Sequence, residues 1–396
     1  MSEQPEAATI EDFLLENRTF PPPAAFKADA LDTGTDLYDE AREDDEGFWA
    51  RQAAALLDWS KRWDTILDWQ PPFARWFVGG ELNVSHNCLD RHVAAGLGDR
   101  VAYHWEGEPG DTRTITYADL LAEVERFANV LRGLGVERGD RVAVYLPMIP
   151  ELPVTLLACA RIGAPHSVVF GGFSADSLAD RINDAECKVL VTADGGWRRG
   201  APGLLKPTAD VALAATPSIT DVVVVDRLGS SGADVAVDLT EGRDHWYHDL
   251  LAEADPHCEP EAMSSEDLLY LLYTSGTTGK PKGIMHTTGG YLTQVAFTQR
   301  HVFDLKPEED VYWCTADVGW VTGHSYVVYG PLALGATSVL YEGTPDTPGR
   351  DRWWDLVERY GVTILYTAPT AIRTFMKWGD DEPGRHDLSS LRLLGS

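Results

Sequence analysis

Lysine is scarce in this sequence. Only eight of its 33 basic residues are lysine, they face 62 carboxylates, and the formal charge is −29. Nucleic-acid backbones select basic surfaces, so this balance argues against nucleic acid as a main partner. Cysteine is sparse too: Cys88, Cys159, Cys187, Cys258 and Cys314 stand singly. There is no Cys-x-x-Cys or Cys/His cluster to suggest zinc, and an odd count does not suit a disulfide framework. No metal ligand set is read from the sequence. No apolar run approaches the roughly 20 residues needed to span a bilayer, so no membrane partner is expected. The first twenty residues, MSEQPEAATIEDFLLENRTF, lack a basic stretch followed by an apolar one, and a cytoplasmic enzyme is the expectation. The acid is scattered, as in EAREDDEG (40–47) and KPEEDV (306–311), which reads as a solvated acidic surface. Such a surface suits high salt, where charge repulsion is screened; a merely acidic mesophilic enzyme is the alternative.

What is present is a globular composition, 44% hydrophobic over 396 residues, enough for two or three domains. Residues 1–90 are rich in Trp, Asp and Phe. Trp49, Trp59, Trp63, Trp69 and Trp76 recur without sustained helical or strand spacing, and they are read as aromatics packed inward from helices and loops wrapped on a larger body. From residue 91 to 396 the pattern alternates. ADLLAEVERFANVLRGLG (118–135), ELPVTLLACARIGA (151–164) and SADSLADRINDAE (174–186) predict helices. DRVAVYLPM (140–148), HSVVF (166–170), CKVLVTA (187–193), DVVVVD (221–226) and LLYLLYTS (268–275) predict strands. RWWDLVERYG, VTILYTA and PTAIRTFMKWG then predict helix, strand and helix. Strand–helix alternation implies an α/β fold whose mostly parallel sheets are covered by helices on both faces. Residues 229–262, rich in Gly, Asp, Glu and His, are read as a surface insertion or linker.

One stretch stands out against the acidic background. A strand delivers Thr274, Ser275, Gly276, Thr277, Thr278, Gly279, Lys280, Pro281, Lys282 and Gly283. The glycines let backbone approach closely, and successive N–H groups can form an anion-binding concavity. Four hydroxyls add donors, and two of the eight lysines fall within three residues. Polyphosphate is the natural guest. The spacing is not that of the Walker A loop, which places four residues between its glycines and Ser or Thr after its lysine. Here two residues separate Gly276 from Gly279, and Pro281 follows Lys280. A flexible Gly/Thr surface turn is the plain alternative.

YTSGTTGKPKG resembles the signature of adenylate-forming enzymes, and the flanking GIMHTTGGYL narrows the likeness to the acetyl-coenzyme A synthetases. The resemblance continues through WFVGGELNVSHNCLDRH (76–92), VVFGGFSADSLADRI (168–182), WCTADVGWVTGHSYVVYGPLALGATSVLYEG (313–343) and YTAPTAIRTFMKWG (366–379). Residues 1–90 would then be the N-terminal segment typical of these synthetases and 91–396 their AMP-binding domain. The charge balance would mark a halophilic archaeal type. The resemblance implies AMP-forming ligation of acetate to coenzyme A through an acetyl-adenylate, with ATP, magnesium and coenzyme A taking part. Propionate is the alternative substrate. Oligomeric state is not implied.

By matching position, the loop Thr274–Gly283 would bind the ATP phosphates. Trp320, Val321 and Thr322 would line the acyl group. For coenzyme A the resemblance points to Gly171, Gly172, Arg198, Arg199, Thr322, Asp346 and Ala368. Two departures stand out: the family's second cation, three residues after Arg198, is Ala201 here, and Asp346 stands where Asn is usual. On residue type alone GWVTGH reads as a buried strand end, and Asp317 and His324 as structural hydrogen-bonding groups. The family pattern also runs past LRLLGS (391–396). Its adenine-binding Tyr-x-x-Thr-Glu motif, ribose-binding Asp, hinge and small mobile C-terminal domain with the catalytic lysine have no counterpart in residues 1–396. The expectation is an N-terminal part, whether fragment, interrupted gene product or half of a split enzyme. A non-catalytic nucleotide-binding remnant stays open.

Overall fold

The computed structural model describes residues 19–233, 235–274 and 281–396. Two large sheets organise the chain. The first has seven strands in the order Asp244–Trp246, Asp221–Val225, Val189–Ala193, Val142–Tyr145, His166–Val168, Leu268–Thr274 and Lys282–Thr287. Every pairing is parallel except the last, where Leu268–Thr274 and Lys282–Thr287 form an antiparallel hairpin. The second has six strands in the order Leu393–Gly395, Ile364–Tyr366, Val311–Cys314, Thr337–Glu342, Val101–Gly107 and Thr112–Thr116, again parallel except for its last pair. The mostly parallel α/β arrangement expected from the alternation is therefore what forms.

Local chemistry explains the elements. The central strands Val142–Tyr145 and Val189–Ala193 are buried at every position, as expected where helices cover both faces of a parallel sheet. Helix Tyr117–Gly133 starts at Thr116, which exchanges hydrogen bonds with Asp119 in a capping box. Its Leu120, Val124, Phe127 and Leu131 form one buried stripe. Helix Glu151–Ile162 is buried all round and ends at Gly163 in the left-handed conformation, φ 70°. A side chain there would strike the Met263 thioether, so both backbone and space call for glycine. Among the described residues no helix is long and apolar enough to cross a membrane.

Two stretches carry more regular structure than their sequence suggests. Within residues 229–262, Asp244–Trp246 forms an edge of the seven-stranded sheet and helix Tyr247–Glu253 buries Tyr247 against Phe127. Asp244 there accepts from buried Lys206 at 2.8 Å and from Arg243 at 2.6 Å. In the N-terminal segment, helices Asp36–Glu43 and Asp45–Leu56 are followed by a hairpin, Thr65–Gln70 with Phe73–Val78. Four of its tryptophans pack edge-on in aromatic contacts, Trp49 on Trp76 and Phe297, Trp59 on Trp63 and Phe77. Trp69 departs from the inward expectation: it lies beside the hairpin turn, 61% exposed, where the sheet has no second layer.

Candidate functional site

In open parallel sheets, ligands collect beyond the carboxyl ends of the strands, where loops diverge. The two sheets put these ends face to face. A cavity of about 750 Å³ opens there. The seven-stranded sheet contributes Met148, Phe170 and Arg198 from the segments after its strands; the six-stranded sheet contributes Cys314–Asp317, Tyr341, Gly343–Pro345 and Tyr366–Ala368. Helix Pro369–Trp378 closes one side with Thr370, Ala371 and Thr374.

The floor is polar at one place. Strands Val311–Cys314 and Ile364–Tyr366 are parallel neighbours and each runs straight into Thr-Ala. Thr315 and Thr367 thus meet, Oγ1 to Oγ1 at 2.7 Å. Beyond them Asp317 folds the chain back, accepting from the Gly319 N–H at 2.7 Å. Burial pushes the Asp317 carboxyl above its usual range, with the Gly319 bond and the Arg198 charge opposing. The turn is tight: a Cβ on Gly323 would fall onto the Asp317 carbonyl.

GWVTGH is therefore an exposed turn entering a helix rather than a strand end. Trp320 is 57% exposed and faces the cavity together with Thr322, while Val321 points elsewhere at the surface. Behind them His324 is fully buried and its Nδ1 lies 3.2 Å from the Trp320 carbonyl oxygen. Burial holds its pKa down at about 4, so it is neutral and turned to backbone, which suits bracing rather than proton transfer. His324 stacks on Tyr270 at 4.4 Å, and Tyr270 stacks on His286 at 4.3 Å. A ring stack, buried at His324 and Tyr270 and half-buried at His286, thus connects both strands of the Leu268–Thr274 hairpin to the turn carrying Trp320.

Arg198 sits on a small ribbon, Gly195–Arg198 paired with Ala201–Leu204. Its guanidinium lies 5.8 Å from the Phe170 ring centre. The ribbon is pinned to the other sheet by buried Glu342, whose Oε1 accepts from the Trp197 N–H at 3.0 Å. The other oxygen of Glu342 accepts from Arg227 Nε at 2.8 Å and Nη2 at 2.6 Å. Burial pushes the Glu342 carboxyl up, and the Arg227 bonds hold it down.

The expected site residues divide accordingly. Arg198, Trp320, Thr322 and Ala368 line one cavity. Gly171 and Gly172 follow the lining residue Phe170 without lining it themselves, and the Gly171 carbonyl accepts from the Tyr145 hydroxyl at 3.0 Å. Arg199 and Asp346 are exposed beside the lining residues Arg198 and Pro345. Thr274 and Lys282 are cross-strand partners in the hairpin, with Tyr273 opposite Gly283. The flanking strands Leu268–Thr274 and Lys282–Thr287 pair antiparallel, and the next helix, Thr288–His301, begins six residues beyond Lys282, unlike a Walker A loop. Ser275, Gly276, Thr277, Thr278, Gly279 and Lys280 lie outside the described residues. Sequence reasoning passed over Thr315 and Thr367, although the repeated Thr-Ala after an apolar strand was a usable signal. It had no means to single out Glu342 among so many acids.

The model of the AMP-binding enzymes matches residues 90–396, and that of the acetyl-coenzyme A synthetase N-terminus matches residues 35–88. The acetyl-coenzyme A synthetase of Rubrobacter xylanophilus is 63% identical over 380 residues, 96% of this chain and 58% of its own length. Those of Streptomyces avermitilis and Gemmatimonas aurantiaca are each 61% identical over 98% of this chain. The chain spans 58% to 59% of the length of these curated relatives.

Proposed function

We propose that this chain, which belongs to the family of AMP-binding enzymes, works in the AMP-forming ligation of acetate to coenzyme A. The reading takes the adenylate-forming route. The acetate carboxylate attacks the α-phosphorus of ATP and pyrophosphate leaves; the coenzyme A thiol then displaces AMP to give the thioester. The observation that carries this reading is the cavity shared by Arg198, Trp320, Thr322 and Ala368 at the facing strand ends. A guanidinium at one wall suits a nucleotide phosphate, and an indole beside a threonine suits a short acyl chain with one polar handle.

The first step asks the protein chiefly for alignment and neutralisation of charge on the leaving pyrophosphate. Thr274, Ser275, Gly276, Thr277, Thr278, Gly279, Lys280, Lys282 and Gly283 are proposed for it, Lys282 being exposed at the hairpin and available to an anion. Among the described residues no group of three or more His, Cys, Asp or Glu could hold a metal ion. Magnesium would then enter on the ATP phosphates, a common mode for an ion that keeps its waters, and would supply charge neutralisation there. For the second step Arg198, with Gly171, Gly172, Arg199, Asp346 and Ala368 nearby, is proposed for coenzyme A, and Trp320, Val321 and Thr322 for the acyl group. Acetate is favoured over propionate on the relatives' names. Cytoplasmic location and adaptation to high salt are proposed on composition alone, and the bacterial relatives lend no support to an archaeal source.

The test is acetate-dependent exchange of pyrophosphate into ATP by the enzyme carrying this chain, with propionate as comparison. Exchange with acetate, weakened at least tenfold by Lys282→Ala, is expected. ATP binding without exchange on any short carboxylate would favour a nucleotide-binding remnant and defeat the ligase reading.

A further inference from the structure

Glu108 follows the strand Val101–Gly107 and is buried, 4% exposed. Among the described residues no lysine or arginine side chain bonds to it. Four protein donors do. Its Oε1 accepts from the Arg199 N–H at 3.0 Å, the Thr344 N–H at 2.9 Å and the Thr344 hydroxyl at 3.2 Å. Its Oε2 accepts from the Gly200 N–H at 2.7 Å. One carboxylate thus ties a turn from the seven-stranded side to a loop from the six-stranded side. Arg198, at the start of that turn, and Thr344 both line the cavity.

The turn needs such a tie. Arg199 and Gly200 have φ of 56° and 73°, the left-handed pair of a two-residue hairpin turn, with Arg198 opposite Ala201. Glycine adopts this freely, but a β-carbon makes it unfavourable at Arg199. Bonds from Glu108 to both turn amides hold the conformation that sequence preference opposes. The direction in which Arg198 leaves the ribbon depends on it. Bonds to charged acceptors are the stronger kind, and here four neutral donors offset part of the negative field of the carboxylate.

We propose that Glu108 is a positioning residue for coenzyme A: it touches no ligand, and sets the turn that keeps Arg198 at the cavity. This rests on the reading of Arg198 as a coenzyme A contact. It goes beyond that reading in predicting that a buried acid strengthens the binding of a polyanion.

The experiment is calorimetric titration of the full chain with coenzyme A and, separately, with ATP, in wild type, Glu108→Gln, Glu108→Asp and Arg198→Ala. Gln places an amide against donor N–H groups and loses the charge. Glu108→Gln is expected to weaken coenzyme A about tenfold, near 1.4 kcal/mol, with ATP affinity within twofold of wild type. Glu108→Asp, which keeps the charge on a shorter arm, should fall between. If Glu108→Gln does not fold, Glu108→Asp carries the comparison. Unchanged coenzyme A affinity, with Arg198→Ala impaired, overturns the positioning role and leaves the coenzyme A reading standing. Equal loss of both ligands also overturns it, because that is general bracing. A wild type that ignores coenzyme A, or an Arg198→Ala variant that binds it normally, defeats the underlying reading and the proposal with it.

Discussion

Replacing Arg227 by methionine removes the counter-charge of a carboxylate that has almost no contact with water. Glu342 is 2% exposed and Arg227 5%. Arg227 gives Glu342 two bonds, gives Asp111 another at 2.7 Å, and lies 5.0 Å from the Trp105 ring centre. Removing one partner of a buried pair costs about 3–5 kcal/mol, because the other charge stays buried without compensation. Two features decide where in that range the variant falls. Methionine keeps much of the apolar stem packed on Trp105, and Glu342 keeps the Trp197 N–H bond. Glu342 also has an escape, since burial already pushes its carboxyl up, and Arg227 opposes this more than the Trp197 N–H does.

Without Arg227, burial should raise the folded pKa of Glu342 further above its unfolded value. Folding then takes up a proton between the two values, and the deficit shrinks as pH falls toward the unfolded pKa, by about 1.4 kcal/mol per pH unit where the folded form is protonated and the unfolded form is not. Urea unfolding at pH 8 should therefore show a loss near 3–5 kcal/mol, and at pH 5.5 a loss smaller by about 1 kcal/mol or more. Adding Glu342→Leu removes the stranded charge and should recover about half of the loss. A single-variant deficit under about 1 kcal/mol at pH 8, or one that does not change with pH, would refute the account of a buried, mutually dependent pair.

Three further outcomes are expected. His324 is held near pKa 4 by burial, below its unfolded value, so its contribution is present above pH 6.5 and lost as pH falls through that window toward 4; His324→Phe should flatten urea-measured stability there by about 3 kcal/mol, and an unaltered acid limb would contradict its burial. Gly323→Ala forces a methyl onto the Asp317 carbonyl and should lower the melting temperature by several degrees while displacing Trp320, read as a shifted indole fluorescence maximum; a silent substitution would mean the turn is looser than drawn. Finally, with a charge of −29, the chain should melt higher in molar potassium chloride than in 0.1 M salt, and a melting point that falls or stays level would remove the case for salt adaptation.

Much of the scaffold was legible because its causes are local. The stripe of Leu120, Val124, Phe127 and Leu131 has helical spacing, and the expected helix over 118–135 forms as Tyr117–Gly133. The short β-branched run DVVVVD favours a buried strand, and it is Asp221–Val225. The hairpin Thr65–Val78 escaped notice because half-exposed strands around Pro71-Pro72 show no clean alternation. The strand Asp244–Trp246 escaped because three residues in a Gly- and Asp-rich stretch carry no periodicity of their own.

The sequence by itself determined that this is an α/β protein with a cation-bearing glycine loop after a strand, since composition, period and motif spacing act over a few residues. Only the tertiary structure decided that Arg198, Thr315, Trp320, Thr344, Thr367 and Ala368, spread over 170 positions, surround one cavity. It alone distinguished Glu108 and Glu342 from dozens of solvated acids. Their roles come from burial and from donors contributed by distant segments, and no short window of the chain contains either acid together with the donors it binds.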